Sequence, residues 1–176
     1  MGNFFNSNTT NYNNFITNLY FKKIINQIIE IGKLKDTKKK ILDFGCGNKE
    51  LSKSIVEKKV LNYDIKPEYS DYDDYKNLKF DIIIINHVLE YFDKSEIIKF
   101  LEDLKRINPE CELIVGLTIR GFVSNFVKNL LLQFSAHDNF ISNYKDILET
   151  LNKYTENISK PRNIFFATKI LHLKFK

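Results

Sequence analysis

Two glycines one residue apart, in Ile41-Leu42-Asp43-Phe44-Gly45-Cys46-Gly47-Asn48, follow a short apolar run that stops at an acid. Glycine has no Cβ and tolerates positive φ, so the backbone at Gly45 and Gly47 can pass close to a bound ligand at low steric cost. The run reads as a strand entering a tight turn. Leu51 and Ile55, four residues apart in Glu50-Leu51-Ser52-Lys53-Ser54-Ile55-Val56, supply the helix that such a turn leads into. Together they make the nucleotide-cradling half of an α/β unit, with the ligand outside the carboxyl end of the strand. A dinucleotide site needs G-x-G-x-x-G, with pyrophosphate on the helix N-terminus. Here Glu50 holds the third position, and a carboxylate stands where phosphate would sit. Asp43 suits instead a ligand that carries an ammonium near the turn.

S-adenosylmethionine carries such an ammonium, and three ordered motifs point the same way. Asp43-Phe44-Gly45-Cys46-Gly47, with Asp64 closing the next strand in Val60-Leu61-Asn62-Tyr63-Asp64, resembles the first two motifs of class I S-adenosylmethionine-dependent methyltransferases. Phe80-Asp81-Ile82-Ile83-Ile84-Ile85-Asn86-His87-Val88-Leu89-Glu90-Tyr91 resembles the strand-four signature of that family's small-molecule branch, which usually ends in His-Val-Leu-Glu-His. Lys49 stands in place of the family's third glycine, which bears on the turn's exit. The resemblance covers nearly the whole chain, with its motifs between Asp43 and Tyr91.

What the resemblance implies can be written residue by residue. Backbone groups of Gly45, Cys46 and Gly47 line the methionine arm, and Asp43 sits near its ammonium. Asp64 takes both ribose hydroxyls, since a carboxylate accepts two hydrogen bonds. Ile65 packs on the adenine, Asp74 and the Tyr75 amide meet its amino group, and Asn86 and His87 lie beside the cofactor at the end of their strand. Methyl transfer is an in-line displacement, so holding donor and acceptor together is the main task. A hydroxyl acceptor usually needs a general base. The candidates are His87 and His137, histidine being the side chain poised near neutral pH. His172 is expected to be structural, and Glu90 to anchor its loop. The implied acceptor is a small molecule or a lipid-linked group. The alternative is a methyltransferase-like fold without chemistry, acting as a binding or scaffold protein; Lys49 and a short third layer favour it.

Other chemistries are argued down. Tyr72 and Lys76 make a Tyr-x-x-x-Lys pair directly after the second strand, without the helix it needs, and are read as coincidence. No Asn-Pro-Pro-Tyr run follows the Phe80–Ile85 strand, which counts against base methylation by that route. Neither H-E-x-x-H nor paired Cys-x-x-Cys appears, so no metal is expected. The net charge of +5 comes mostly from scattered lysines, the footprint of a solvated surface more than of a nucleic-acid partner. Two cysteines are too few for a disulfide framework, and with no signal peptide or membrane span in view the expected location is cytoplasmic.

The elements that must position these residues read as one Rossmann-like, doubly wound α/β domain over residues 14–176. Its mostly parallel sheet has helices on both faces and an antiparallel C-terminal hairpin. Residues 1–13 are Asn-rich and expected to fray. An amphipathic entry helix covers 14–35, within which Tyr20, like Tyr12 before it, is weighed as a ligand contact against core packing. Residues 64–81 leave little room for a full helix plus a third strand. A helix over 94–107, a strand over 113–119 and a helix over 144–154 precede a hairpin turning at Pro161-Arg162-Asn163. The apolar stretch 121–134, part of a lid-like insertion over 121–140, fits a membrane-surface helix, a dimer contact or a lid, and its place after the 113–119 strand favours a cover over the site.

Overall fold

The computed structural model describes residues 15–56, 59–119 and 140–176. Seven strands form one sheet: β1 (Ile41–Phe44), β2 (Val60–Tyr63), β3 (Ile82–Asn86), β4 (Glu112–Thr118), β5 (Thr155–Asn157), β6 (Arg162–Ile164) and β7 (Thr168–Phe175). The spatial order is β2-β1-β3-β4-β7-β5, with β6 also on β7. The first four strands run parallel and β7 runs antiparallel to β4. The carboxyl ends of β1, β3 and β4 therefore open on the same edge as the start of β7.

Alternation along the strands builds two cores. Leu42, Phe44, Ile83, Ile85, Leu113 and Val115 pack with α3 (Lys94–Ile107) and α4 (Tyr144–Tyr154) on one face. Ile41, Ile82, Ile84, Ile114 and Ile170 pack with Ile24, Ile28 and Ile31 of α1 (Phe15–Ile31) and with Leu51 of the short α2 (Glu50–Ser54) on the other. Burial on both faces is why β3 is apolar throughout. A capping box starts α3: Asp93 Oδ1 accepts from Glu96 N at 2.9 Å, and Asp93 N donates to Glu96 Oε2 at 2.8 Å. Leu19 of α1 is 57% exposed.

The third layer is reduced further than an abbreviation. Residues 64–81 hold only a single 3-10 turn, Tyr75–Asn77, so among the described residues no strand is added outside β2. Aromatic rings fill that corner, with Phe44 at 5.0 Å from Tyr75 and 4.7 Å from Phe100 between centroids. The residues expected to fray and the lid-like insertion lie outside the described residues, apart from Phe140, whose ring meets Tyr91 edge-on.

The C-terminal hairpin corrects the expected register. Pro161 does not turn the chain: β6 begins at Arg162 and pairs with β7 through Ile164↔Thr168, while β5 pairs further along through Thr155↔Phe175. The turn is Phe165-Phe166, with φ of 49° and 55° and a hydrogen bond from Ala167 N to Ile164 O at 3.0 Å. The loop between the paired Ile164 and Thr168 is three residues long, and its first two are left-handed, the backbone pattern that Asn-Gly normally fills. Two phenylalanines carry no Asn-Gly signal, so the turn was not legible. Left-handed backbone costs a residue with a Cβ about 1–2 kcal/mol. Replacing Phe165 with Asn and Phe166 with Gly together is expected to raise unfolding free energy by about 1–2 kcal/mol in urea titration; an unchanged or lower value would show that the turn stores no such cost.

Candidate functional site

The glycine bend sits at the carboxyl end of β1, tied to the end of β2. Tyr63 O accepts from Gly45 N at 2.8 Å and from Cys46 N at 3.1 Å. Gly45 and Gly47 have φ of 77° and 46°. A Cβ on Gly45 would lie 2.4 Å from Val88 Cγ2, whereas one on Gly47 would meet nothing within 4 Å. Gly45 is thus required by packing and conformation, and Gly47 by conformation beside open space. Asp64 closes this rim: its Oδ2 accepts from Gly47 N at 3.0 Å and its Oδ1 from Lys66 N at 3.0 Å. Ile65, next in the chain, is 69% exposed.

Lys49 does not disturb the exit. It takes the left-handed conformation itself, at φ 59°, and its Nζ binds Asp71 Oδ1 at 2.5 Å. That ion pair and Asn62 Nδ2, 2.8 Å from Asp71 Oδ2, hold the Asp71 carboxyl below its ordinary range. Ser52 Oγ donates to Asn62 Oδ1 at 2.7 Å, so α2, β2 and the following loop are stitched together.

Asp43 is buried, and burial followed by the nearby charge of Asp64 pushes its carboxyl up to about 7. No hydrogen bond reaches that carboxyl among the described residues. Cys46 is buried with its Sγ donating to Tyr69 O at 3.4 Å; burial, then Asp43 and Asp64, push the thiol up to about 12. It is a neutral thiol that offers its backbone only. Asp74 is exposed and caps the 3-10 turn by accepting from Lys76 N at 2.9 Å, while the Tyr75 ring is buried in the aromatic core. Neither side chain reaches the bend through a hydrogen bond. Tyr72 and Lys76 do not act as a pair, since Lys76 Nζ binds Asp103 Oδ2 at 3.0 Å.

A second polar cluster gathers where β3, β4 and β7 meet α1. His87 has φ of 56° and is held by its N donating to Gly116 O at 2.9 Å. Its Nδ1 lies 2.9 Å from Thr118 Oγ1 and 3.4 Å from Glu90 Oε1; its Nε2 lies 3.4 Å from Thr168 Oγ1. Tyr20 OH is 2.6 Å from the same Thr168 Oγ1. Glu90 is buried and anchors more than its own loop. Its Oε1 accepts from Thr118 N at 2.8 Å, and its backbone O accepts from Ile141 N at 2.8 Å and Ser142 N at 3.1 Å. Burial pushes its carboxyl up, but His87 and the Thr118 amide outweigh it and hold the carboxyl below its usual range. Asn86 turns its Oδ1 over Gly116, where a Cβ would stand 2.2 Å away, and that buried oxygen has no partner among the described residues.

Sequence reasoning missed Gly116, Thr118 and Thr168. A glycine inside an apolar strand was the available signal for close approach, and nothing singled out either threonine. His172 lies at the other end of β4, its Nε2 3.1 Å from Glu112 Oε2. His137 falls outside the described residues. Among the described residues no cluster could hold a metal ion, and no helix is long and apolar enough to cross a membrane. A shallow groove of about 880 Å³ at the amino ends of the strands is lined by Lys39, Asp81, Glu112 and Lys174, far from the bend.

Comparison with known proteins follows from this geometry. No curated protein matches by sequence. Among solved structures, the chain superposes on magnesium protoporphyrin IX methyltransferase from Synechocystis PCC 6803, crystallised with S-adenosylhomocysteine, with a TM-score of 0.62 at 15% identity over 93% of this chain and 88% of that one. The N-methyltransferase NodS from Bradyrhizobium japonicum WM9, in complex with S-adenosylhomocysteine, superposes with a TM-score of 0.62 at 11% identity, covering 89% of this chain and 87% of that one. These likenesses concern the fold. A family model described as a methyltransferase domain matches residues 16–137, well over half the chain, and the chain therefore belongs to that class I family, whose methyl donor is S-adenosylmethionine.

Proposed function

We propose that this enzyme transfers a methyl group to a small-molecule or lipid-linked acceptor, with Asp64 holding the donor's ribose. The observation that carries the reading is the shared rim: the Asp64 carboxylate rests on the Gly47 amide at 3.0 Å, beside the open side of Gly47. Each Asp64 oxygen accepts one backbone hydrogen bond and keeps capacity for a hydroxyl. The donor supplies an electrophilic methyl on a sulfonium. Gly45, Cys46 and Gly47 offer backbone to its methionine arm. Asp43, buried and without a hydrogen-bond partner among the described residues, fits the ammonium. Ile65 offers an exposed apolar side chain to the adenine, with Asp74 and the Tyr75 amide at its amino edge. Asn86 and His87, at the carboxyl end of β3, stand beside the cofactor.

The acceptor class rests on two features. The Asn86-to-Glu90 run resembles the small-molecule branch. In the turn that leads into Thr168, Phe165 and Phe166 are 56% and 73% exposed, and the Phe165 ring lies tilted 6.1 Å from Tyr20. Such a rim suits an acceptor with an apolar body.

Isothermal titration with S-adenosylhomocysteine tests the donor site. Asp64→Ala is expected to weaken binding about 30-fold, the loss of two hydrogen bonds of about 1 kcal/mol each; wild-type protein that fails to bind, or Asp64→Ala that binds equally, would sink the reading. Asp43 predicts a pH dependence. Its folded carboxyl holds the proton more tightly than the unfolded chain, so its contribution to stability is full below the ordinary value of 3.8 and is lost as pH rises through about 7. Asp43→Asn is therefore expected to be more stable than wild type at about pH 8, by about 2–4 kcal/mol, and equal to it at about pH 4. Binding of the ammonium needs the ionised carboxylate, so wild-type affinity should rise from about pH 6 to about pH 8 and that rise should vanish in Asp43→Asn.

A further inference from the structure

Four elements bring one hydroxyl chain to His87, and its polarity can be worked out. The imidazole Nδ1 faces only oxygens among the described residues, Thr118 Oγ1 at 2.9 Å and the Glu90 carboxylate at 3.4 Å. An ionised carboxylate beside Nδ1 accepts and cannot donate, so it favours the tautomer with the hydrogen on Nδ1, Thr118 Oγ1 accepting from it, and a lone pair on Nε2. That lone pair lies 3.4 Å from Thr168 Oγ1, whose hydroxyl donates to it. Having given its hydrogen, Thr168 Oγ1 accepts from Tyr20 O–H at 2.6 Å. Thr168 is fully buried and Glu90 is 1% exposed, so no bulk water interrupts the inner links. The left-handed backbone at His87 is the kind of strain that persists where surrounding contacts over-determine a working geometry.

We infer that Tyr20, Thr168 and His87 form a proton-transfer chain for a hydroxyl acceptor, with Tyr20 the group that meets the acceptor and Glu90 and Thr118 the positioning residues that set the His87 tautomer. The inference rests on the methyl-transfer reading. In the step, a bond forms between acceptor oxygen and methyl carbon while the carbon–sulfur bond breaks, and the sulfonium becomes a neutral sulfide. The acceptor proton passes to the Tyr20 oxygen as the Tyr20 proton moves to Thr168 Oγ1 and the Thr168 proton to His87 Nε2. The positive charge leaving sulfur thus reappears on an imidazolium beside the Glu90 carboxylate, and charge balances. Tyr20 and Glu90 are the only ionisable side chains that contact this chain among the described residues, Tyr20 from α1 and Glu90 from the turn after β3.

The chain holds three histidines, so a spectrum of 15N-imidazole-labelled protein with S-adenosylhomocysteine contains few signals, and His87→Gln assigns the one required. The expected wild-type tautomer has hydrogen on Nδ1. Tyr20→Phe, which does not touch the imidazole, should shift the His87 Nε2 resonance, as should Thr168→Val, while Thr168→Ser restores it and Glu90→Gln raises the share of the other tautomer. With 1-naphthol as the probe acceptor, Tyr20→Phe should lower kcat roughly 100-fold with an unchanged KM for the donor. An Nε2-protonated wild-type imidazole, an Nε2 signal blind to Tyr20→Phe, or a Tyr20→Phe enzyme with undiminished kcat would each overturn the chain. Titration of the wild type with S-adenosylhomocysteine in parallel separates the two failures: intact binding with a failed chain leaves the methyl-transfer reading standing. The resonance arm decides without turnover.

Discussion

The hydrogen bond from Gly47 N to the Asp64 carboxylate is the contact on which the site's geometry depends. It exists because β1 and β2 pair in parallel with Phe44 opposite Tyr63, so both strands end at one level and their following residues share an edge. Tyr63 O then takes two amides of the bend, leaving the next one for Asp64. A shift of one residue in that register would turn Asp43 and Asn62 to the opposite face and separate the acid from the bend. Burial first, and the Asp64 charge that this register brings near second, raise the Asp43 carboxyl.

Around His87 the constraint is of another kind. The chain after β3 must reverse within a few residues, and the buried Glu90 carboxylate ties that reversal to the end of β4 through the Thr118 amide. Its backbone carbonyl also receives the chain where it re-enters at Ile141 and Ser142. A buried carboxylate needs partners, and here Oε1 accepts from the Thr118 amide and faces the imidazole, while Oε2 has no partner among the described residues. Removing the side chain would therefore loosen the end of β4 from the turn after β3, as well as the ring that the carboxylate faces.

Legibility followed the kind of interaction. Helices α3 and α4 were read to their ends, because an acid or Asn cap precedes a strong apolar period in each. Asp43, Gly45, Gly47 and Asp64 were legible from local spacing, since strand, turn and acid are neighbours in sequence. The Thr118, Thr168 and Tyr20 hydroxyls were not, because they come from elements up to 148 residues apart and meet only through sheet order. The Phe165-Phe166 turn was hidden for the opposite reason: its local residues contradict the conformation that strand pairing imposes. Lys49 likewise reads as a defect by pattern and as an anchored left-handed residue by geometry.

Without an outer strand, β2 is the sheet margin among the described residues, and such a margin ordinarily invites a foreign strand to add on. In β2 the carbonyls that point away from β1 belong to Val60 and Asn62. Asn62 O is taken by Asp71 N at 3.0 Å and Val60 O is approached by Asn62 Nδ2 at 3.5 Å. The acceptors an intruder would need are already engaged by the chain's own loop, so a fold trimmed of one strand carries its own guard against templated aggregation along that side.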